Sequence, residues 1–182
     1  MAGIDPTRQF KPVRIAVLTI SDTRTPENDT SGQVLADRLT EAGHVLALRG
    51  IVKDDRASIV AKLRALLADR ALDVIICTGG TGITGRDVTP EAFDEVIEKK
   101  IEGFGEMFRM ISFQKVGTSA LQSRAVGGVA QGKYLFAIPG SPSACKDAWD
   151  GILKDQLDAR HRPCNFVDLI PRLTEHQRQP TA

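Results

Sequence analysis

The chain has 182 residues, a formal net charge of +1, 42% hydrophobic residues and 26% charged residues. That balance fits one globular domain with a sizeable core, and it offers neither a basic stripe for nucleic acid nor a cationic face for a membrane. No apolar run approaches the roughly 20 residues that span a bilayer, and none of signal-peptide length lies between Met1 and Arg14, so export is not expected.

Residues 1–12 are polar, contain two prolines and read as a flexible arm. One α/β domain follows over 13–170, then a flexible tail over 171–182. Residues 13–20 form a strand apolar enough to be covered on both faces. The loop from Ser21 to Asp29 leads into a helix from about Ser31, with Val34, Leu35 and Leu39 buried and Gly43 as its stop. Residues 44–52 make a second strand. Lys53-Asp54-Asp55 then turns into a helix carrying Ile59, Val60, Leu63, Leu66 and Leu67 at helical spacing.

Residues 73–77 are the third strand, and Thr78-Gly79-Gly80-Thr81-Gly82 follows it. Thr89-Pro90-Glu91 reads as N-cap, N1 proline and first-turn acid, with Phe93, Val96 and Ile97 facing inward. Residues 103–115 predict another helix, with Phe104, Met107, Phe108 and Ile111 packed inward. Residues 124–130 and 133–138 are strands joined at Gln131-Gly132, an antiparallel hairpin at one edge of the sheet. Pro139-Gly140-Ser141-Pro142-Ser143 opens a helix carrying Trp149, Ile152, Leu153 and Leu157. No clear period follows His161. The alternation predicts an α/β fold: a three-layer, mostly parallel doubly wound sheet with an antiparallel edge element.

In such a sheet ligands bind outside the carboxyl ends of the strands, so polar and glycine residues gathered there describe a site. Glycines of Thr78-Gly79-Gly80-Thr81-Gly82 let backbone amides approach an anion, and the threonine hydroxyls add donors. No Lys-Ser or Lys-Thr pair follows Gly82 and no GxGxxG is present, so this is neither the P-loop nor the dinucleotide fingerprint. An acid beside a phosphate cradle calls for a cation between them. Mg²⁺ held by one or two carboxylates together with substrate phosphates meets that demand at Asp87; a solvated or Arg86-paired aspartate is the plainer alternative.

Asp54 and Asp55 occupy the neighbouring loop, where one can cap the next helix while the other faces the crevice. Ser21 and Asp22, with Asp29, Thr30 and Ser31, and then Pro139, Gly140 and Ser141, place hydroxyls and helix amides where they can hold a phosphate or a polar ring, or serve as turns and caps. Arg109 and Arg124 could reach a phosphate but read more simply as solvated, and His44 as a strand residue rather than a base. Cys77, Cys145 and Cys164 are too few and too widely spaced for a disulfide framework or a CxxC metal site, which points to the reducing cytoplasm.

These loops together resemble the molybdenum cofactor biosynthesis family that includes molybdopterin adenylyltransferase, most closely its protein B branch. The matching stretches are Ser21-Asp22-Thr23-Arg24 with Asp29-Thr30-Ser31-Gly32, the Thr78–Gly82 loop, and Asp87 with Pro90-Glu91-Ala92. Glu102-Gly103-Phe104-Gly105-Glu106, Phe108-Arg109, residues 118–126, Pro139-Gly140-Ser141 and Arg162-Pro163-Cys164-Asn165-Phe166 complete the match, which runs from about residue 12 to 168. The resemblance implies a homotrimer, or a homohexamer in the B branch, that binds molybdopterin, a pterin with a dithiolene and a terminal phosphate, and that works with other molybdenum cofactor biosynthesis proteins.

In the active branch that phosphate attacks the α-phosphorus of MgATP and releases pyrophosphate. Asp54 and Asp87 match the two acids associated there with metal and catalysis, and the glycine loop matches the nucleotide and phosphate cradle. Ser21, Asp22 and Ser141 are expected to hold the pterin side, with Ser31, Thr78, Pro139 and Gly140 also among the cofactor-binding residues. Lys53 stands where the active branch usually has proline. The alternative is a non-catalytic molybdopterin-binding or carrier protein of the same fold.

Overall fold

The structure is a computed structural model and describes residues 2–177. Its elements in chain order are β1 (Gly3–Ile4), β2 (Arg14–Ile20), α1 (Thr30–Glu41), β3 (Val45–Val52), α2 (Arg56–Ala68), β4 (Val74–Thr78), α3 (Thr89–Asp94), β5 (Lys99–Lys100) and α4 (Glu102–Val116). A 3₁₀ helix (Gly117–Gln122) precedes β6 (Val126–Ala130) and β7 (Lys133–Ile138). Then come α5 (Pro142–Ala148), a π turn (Trp149–Leu153), α6 (Lys154–Gln156), β8 (His161–Arg162) and α7 (Phe166–Leu169).

Six strands form the main sheet in the order β3-β2-β4-β7-β6-β5. The four strands β3, β2, β4 and β7 are mutually parallel, while β6 and β5 run antiparallel at one edge. The predicted three-layer doubly wound architecture is therefore the observed one. Side-chain alternation explains it. Ile15 and Val17 of β2, Val74 and Ile76 of β4, and Tyr134 and Phe136 of β7 enter one core, where Leu35, Leu39, Phe104, Phe108 and Trp149 cover them. Ala16, Leu18, Ile75, Cys77 and Leu135 enter the other, under Ile59, Leu63, Leu67 and Phe93. Strands buried on both faces read as the continuous apolar runs seen in the sequence.

The predicted hairpin joins β6 to β7 with Gln131 at φ 48° and Gly132 at φ 75°, the left-handed pair that a two-residue turn between twisted strands requires. β6 is antiparallel to both of its neighbours, β5 and β7, while β7 is an interior strand paired in parallel with β4. Two local expectations are corrected. Thr89 is the first residue of α3 rather than its N-cap, because its hydroxyl donates to the Gly79 carbonyl at 2.9 Å. Met107 lies on the outer face of α4, 50% exposed, whereas Phe104 and Phe108 on the inner face fill the core.

The expected N-terminal arm is docked. β1 pairs antiparallel with β8, Arg8 forms an ion pair with Asp168 at 2.6 Å, and the Phe10 ring lies 5.1 Å from His44. Of the expected tail, 171–177 carries 3₁₀ turns at Ile170–Arg172 and Glu175–Gln177, and 178–182 lies outside the described residues.

Candidate active site

Four parallel strands end level with one another, and that fixes where the loops meet. Ile20 pairs with Val52, Thr19 with Thr78, and Thr78 with Ile138. The chain continues the registration past the strands: the Ser21 amide donates to Val52 O at 2.9 Å and the Gly79 amide to Ile138 O at 3.0 Å. The loops after β2, β3, β4 and β7 thus emerge along one sheet edge. Strand order reverses between β2 and β4, since β3 lies outside β2 and β4 on its other side. In open α/β sheets such a switch point is where ligands bind.

Gly79 and Gly80 line it. Gly79 has φ 111°, and a Cβ there would stand 2.4 Å from the Ile20 carbonyl at the end of β2. Gly80 has φ 63°, and its Cβ would meet Thr89 Oγ1 at 2.4 Å and Asp54 Oδ1 at 3.0 Å. Only glycine permits both the conformation and the approach. The loop therefore lies against β2 on one side and Asp54 on the other.

The two adjacent acids of the β3 loop divide their work. Asp55 is the N-cap of α2, its side chain accepting from the Ser58 amide at 2.9 Å. Asp54 faces the crevice. Its amide donates to Asp22 Oδ1 at 3.1 Å, but its own Oδ1 is buried with no hydrogen-bond partner. Burial, reinforced by the Asp22 carboxylate and opposed by Arg86, raises the Asp54 pKa; Asp87 and Asp55 add to the rise. The neighbouring Thr81 hydroxyl is also buried and unpartnered.

Asp87 is held differently. Its Oδ2 accepts from the Thr84 amide at 2.8 Å and the Thr84 hydroxyl at 2.7 Å, while its amide donates to Thr84 O at 3.0 Å. Partial burial acts to raise its pKa, yet these bonds, the Gly82 amide and the charge of Arg124 leave it lowered. A Cβ on Gly82 would stand 2.7 Å from Asp87 Oδ2, so Asp54 and Asp87 flank the same glycine loop, at Gly80 and Gly82. Two carboxylates, one with an orphaned oxygen, suit a hard divalent cation such as Mg²⁺ that also takes phosphate oxygens. No cluster of three or more His, Cys, Asp or Glu residues able to hold a metal exists among the described residues.

The remaining candidates fall at the same edge in different roles. Asp22 is ion-paired with Arg86, and Ser21 Oγ accepts from the Thr23 and Arg24 amides at 3.2 Å each. Ser31 Oγ donates to the Gly140 carbonyl at 2.8 Å, tying the start of α1 to the loop after β7. Thr78 is fully buried, its hydroxyl donating to Pro139 O at 3.0 Å, so it joins two loops from inside. Gly140 approaches Gly79 closely, its Cβ position lying 3.1 Å from the Gly79 Cα. Ser141 caps α5, accepting from the Ala144 amide at 3.2 Å.

Two arginines make contacts that the local sequence does not show. Arg86 pairs with Asp22 across the crevice rather than with the adjacent Asp87. Arg124 is bonded into the glycine loop rather than solvated; its place within the stretch 118–126, already part of the family resemblance, was the available signal. Two cavities of about 480 Å³ are formed by other residues. One is lined by Arg109, Met110, Phe113 and Leu121 and the other by Arg24, Asp29 and Arg49; neither includes Asp54 or Asp87. No helix is long and apolar enough to cross a membrane among the described residues.

Residues 16–159 match the family model described as "Probable molybdopterin binding domain". The molybdenum cofactor biosynthesis protein B of Escherichia coli strain K12 is 51% identical over 158 residues, which cover 87% of this chain and 93% of that protein. The protein of the same name from Bacillus cereus is 47% identical over 148 residues, covering 81% and 88%. A crystal structure of molybdenum cofactor biosynthesis protein B superposes with a TM-score of 0.83 at 41% identity, covering 94% of this chain and all of that one. The tungsten cofactor synthesizing protein MoaB from Pyrococcus furiosus superposes at 0.70 with 28% identity, covering 93% and 99%. The chain belongs to this molybdenum cofactor biosynthesis family and carries its molybdopterin-binding domain.

Proposed function

We propose, from that membership, that the protein binds molybdopterin and adenylylates its terminal phosphate with ATP. In this reaction an oxygen of the terminal phosphate forms a bond to the α-phosphorus of ATP. The bond from that phosphorus to the bridging oxygen of the β-phosphate breaks, and pyrophosphate leaves. Both reactants are anionic, so the protein's task is to hold them in line and offset their repulsion.

The observation that carries the reading is the orphaned, buried Asp54 Oδ1 beside the Gly80 turn, with Asp87 at the other end of the same loop. Asp54 and Asp87 would hold Mg²⁺, which would supply charge neutralisation between phosphates. Gly79, Gly80, Thr81 and Gly82 would donate to the triphosphate, and Ser21, Asp22, Ser31 and Ser141 would bound the pterin side, with Thr78, Pro139 and Gly140 shaping its floor.

We further propose a homotrimer or homohexamer in the cytoplasm, acting with other molybdenum cofactor biosynthesis proteins. Large exposed apolar side chains on α4 and the following 3₁₀ helix support self-association: Met110 is 67%, Phe113 58% and Leu121 79% exposed. Cys77, Cys145 and Cys164 are all free thiols, in keeping with a reducing compartment.

Incubating the protein with molybdopterin, ATP and Mg²⁺ and measuring pyrophosphate tests the reading. Release of pyrophosphate in step with adenylylated molybdopterin is expected; tight pterin binding without it would leave a non-catalytic carrier. Asp87→Asn should abolish turnover while keeping molybdopterin affinity nearly intact, and unchanged adenylylation by that variant would discard the two-acid clamp.

A further inference from the structure

We propose that Arg124 is the positioning residue of this site, a guanidinium clamp that sets the loop from Gly82 to Asp87 and thereby aims the Asp87 carboxylate. The proposal rests on the functional reading above only in what the aimed carboxylate is for. The geometry is independent of it. The Arg124 amide donates to Thr81 O at 2.9 Å, its Nε to Gly82 O at 2.6 Å and one terminal nitrogen to Asp87 O at 2.6 Å. The other terminal nitrogen pairs with the Glu91 carboxylate in the first turn of α3. One side chain thus grips both ends of the loop and the helix that follows it.

The loop needs that grip. Between Ile83 and Arg86 every residue is exposed, and the bonds of the turn are mainly its own, Thr84 to Asp87. Its other lateral tie is the exposed Arg86–Asp22 pair, which water screens. A planar guanidinium presents fixed, diverging donors and can reach three acceptors at once; a lysine ammonium on its flexible stem cannot replace that fork. Arg124 itself is fixed from the opposite half of the sheet. It leaves the 3₁₀ helix just before β6, where the Ser123 amide donates to Ala120 O at 3.1 Å. The antiparallel edge of the sheet therefore holds an acid that belongs to the parallel half.

Arg124→Gln and Arg124→Lys test the clamp by amide hydrogen exchange and by calorimetric titration with ATP and Mg²⁺. Exchange at Thr84 and Asp87 should accelerate about tenfold or more in both variants, with Ile75 and Ile76 in β4 unchanged. Affinity for ATP with Mg²⁺ should fall about tenfold, and lysine should not restore it. Loop exchange and affinity within twofold of the parent in both variants would overturn the proposal. So would full recovery by lysine, which would mean charge alone matters, or equal acceleration in β4, which would mean a global loss of stability. A parent protein that binds ATP but releases no pyrophosphate would sink the adenylyl reading and leave the clamp standing. If the parent binds no ATP, the exchange result decides by itself.

Discussion

The loops after β3 and β4 leave neighbouring positions on one sheet edge, yet they hold their acids in opposite ways. Asp87 is satisfied: two donors from Thr84 and the Gly82 amide surround it, and its pKa is lowered. Asp54 is exposed to conflict: one oxygen is buried without a partner, three other carboxylates lie near enough to act on it, and its pKa is raised. A structure optimised only for stability would not leave such an oxygen bare, because a desolvated charge without a donor is costly. The contrast separates an acid satisfied within its own loop from one whose buried oxygen has no partner among the described residues. Regions that break the rules of local satisfaction are where function is expected.

Substitutions can break or sharpen that contrast, and the glycine turn between the two acids should give the largest effect. Gly79→Ala adds a Cβ 2.4 Å from the Ile20 carbonyl at φ 111°, and should cost about 3 kcal/mol in urea unfolding. A loss under about 0.5 kcal/mol would show that the turn can shift and that the site is not held rigidly between β2 and β4.

The acids themselves come next. Asp87→Ala removes the acceptor for the Thr84 amide and hydroxyl and should cost about 1–2 kcal/mol. Asp54→Asn should leave stability unchanged or raise it by up to about 1 kcal/mol, since it removes a poorly solvated charge. Equal destabilisation by the two variants would erase the contrast.

The smallest effect is in the pH profile, and its sign differs between the acids. Because the folded-state pKa of Asp54 is raised, its contribution to stability is present below the ordinary aspartate value near 3.8 and is lost as pH rises through the folded value. For Asp87 the pKa is lowered, so its contribution is present above that ordinary value and is lost as pH falls through the folded one. Chemical denaturation between about pH 3 and 6 should therefore show Asp54→Asn gaining most at the upper end. Asp87→Asn should lose most there and converge on the parent at the lower end.

Much of this was legible along the chain. The apolar run at 13–20 announced a doubly covered strand and that at 74–77 a buried one, Gln131-Gly132 announced a two-residue hairpin, and Ser141-Pro142 announced a capped helix start. The clustering of Asp54, Asp87 and the glycine loop followed from their positions after strands of one parallel sheet. Three things were not legible. Met107 shares the apolar character of Phe104 and Phe108 but faces outward, because helical phase and not hydrophobicity decides the face. Thr89 had the chemistry of a cap, yet the carbonyl of Gly79 lay within its reach. Arg124 looked like one solvated arginine among many until the 3₁₀ helix before β6 brought it under the glycine loop.

By itself the order of residues determined which segments become strands and helices, since periodicity, caps and turn residues act over a few positions. It also determined that the loops after β2, β3 and β4 would share an edge, because parallel strands linked by helices must all end on the same side. Only the tertiary structure decided that Asp55 caps while Asp54 is left bare, that Arg86 crosses to Asp22, and that Arg124 holds the loop of Asp87. Those choices depend on distances between atoms far apart in sequence, and a hydrogen bond or an ion pair acts over a few ångströms whatever the separation along the chain.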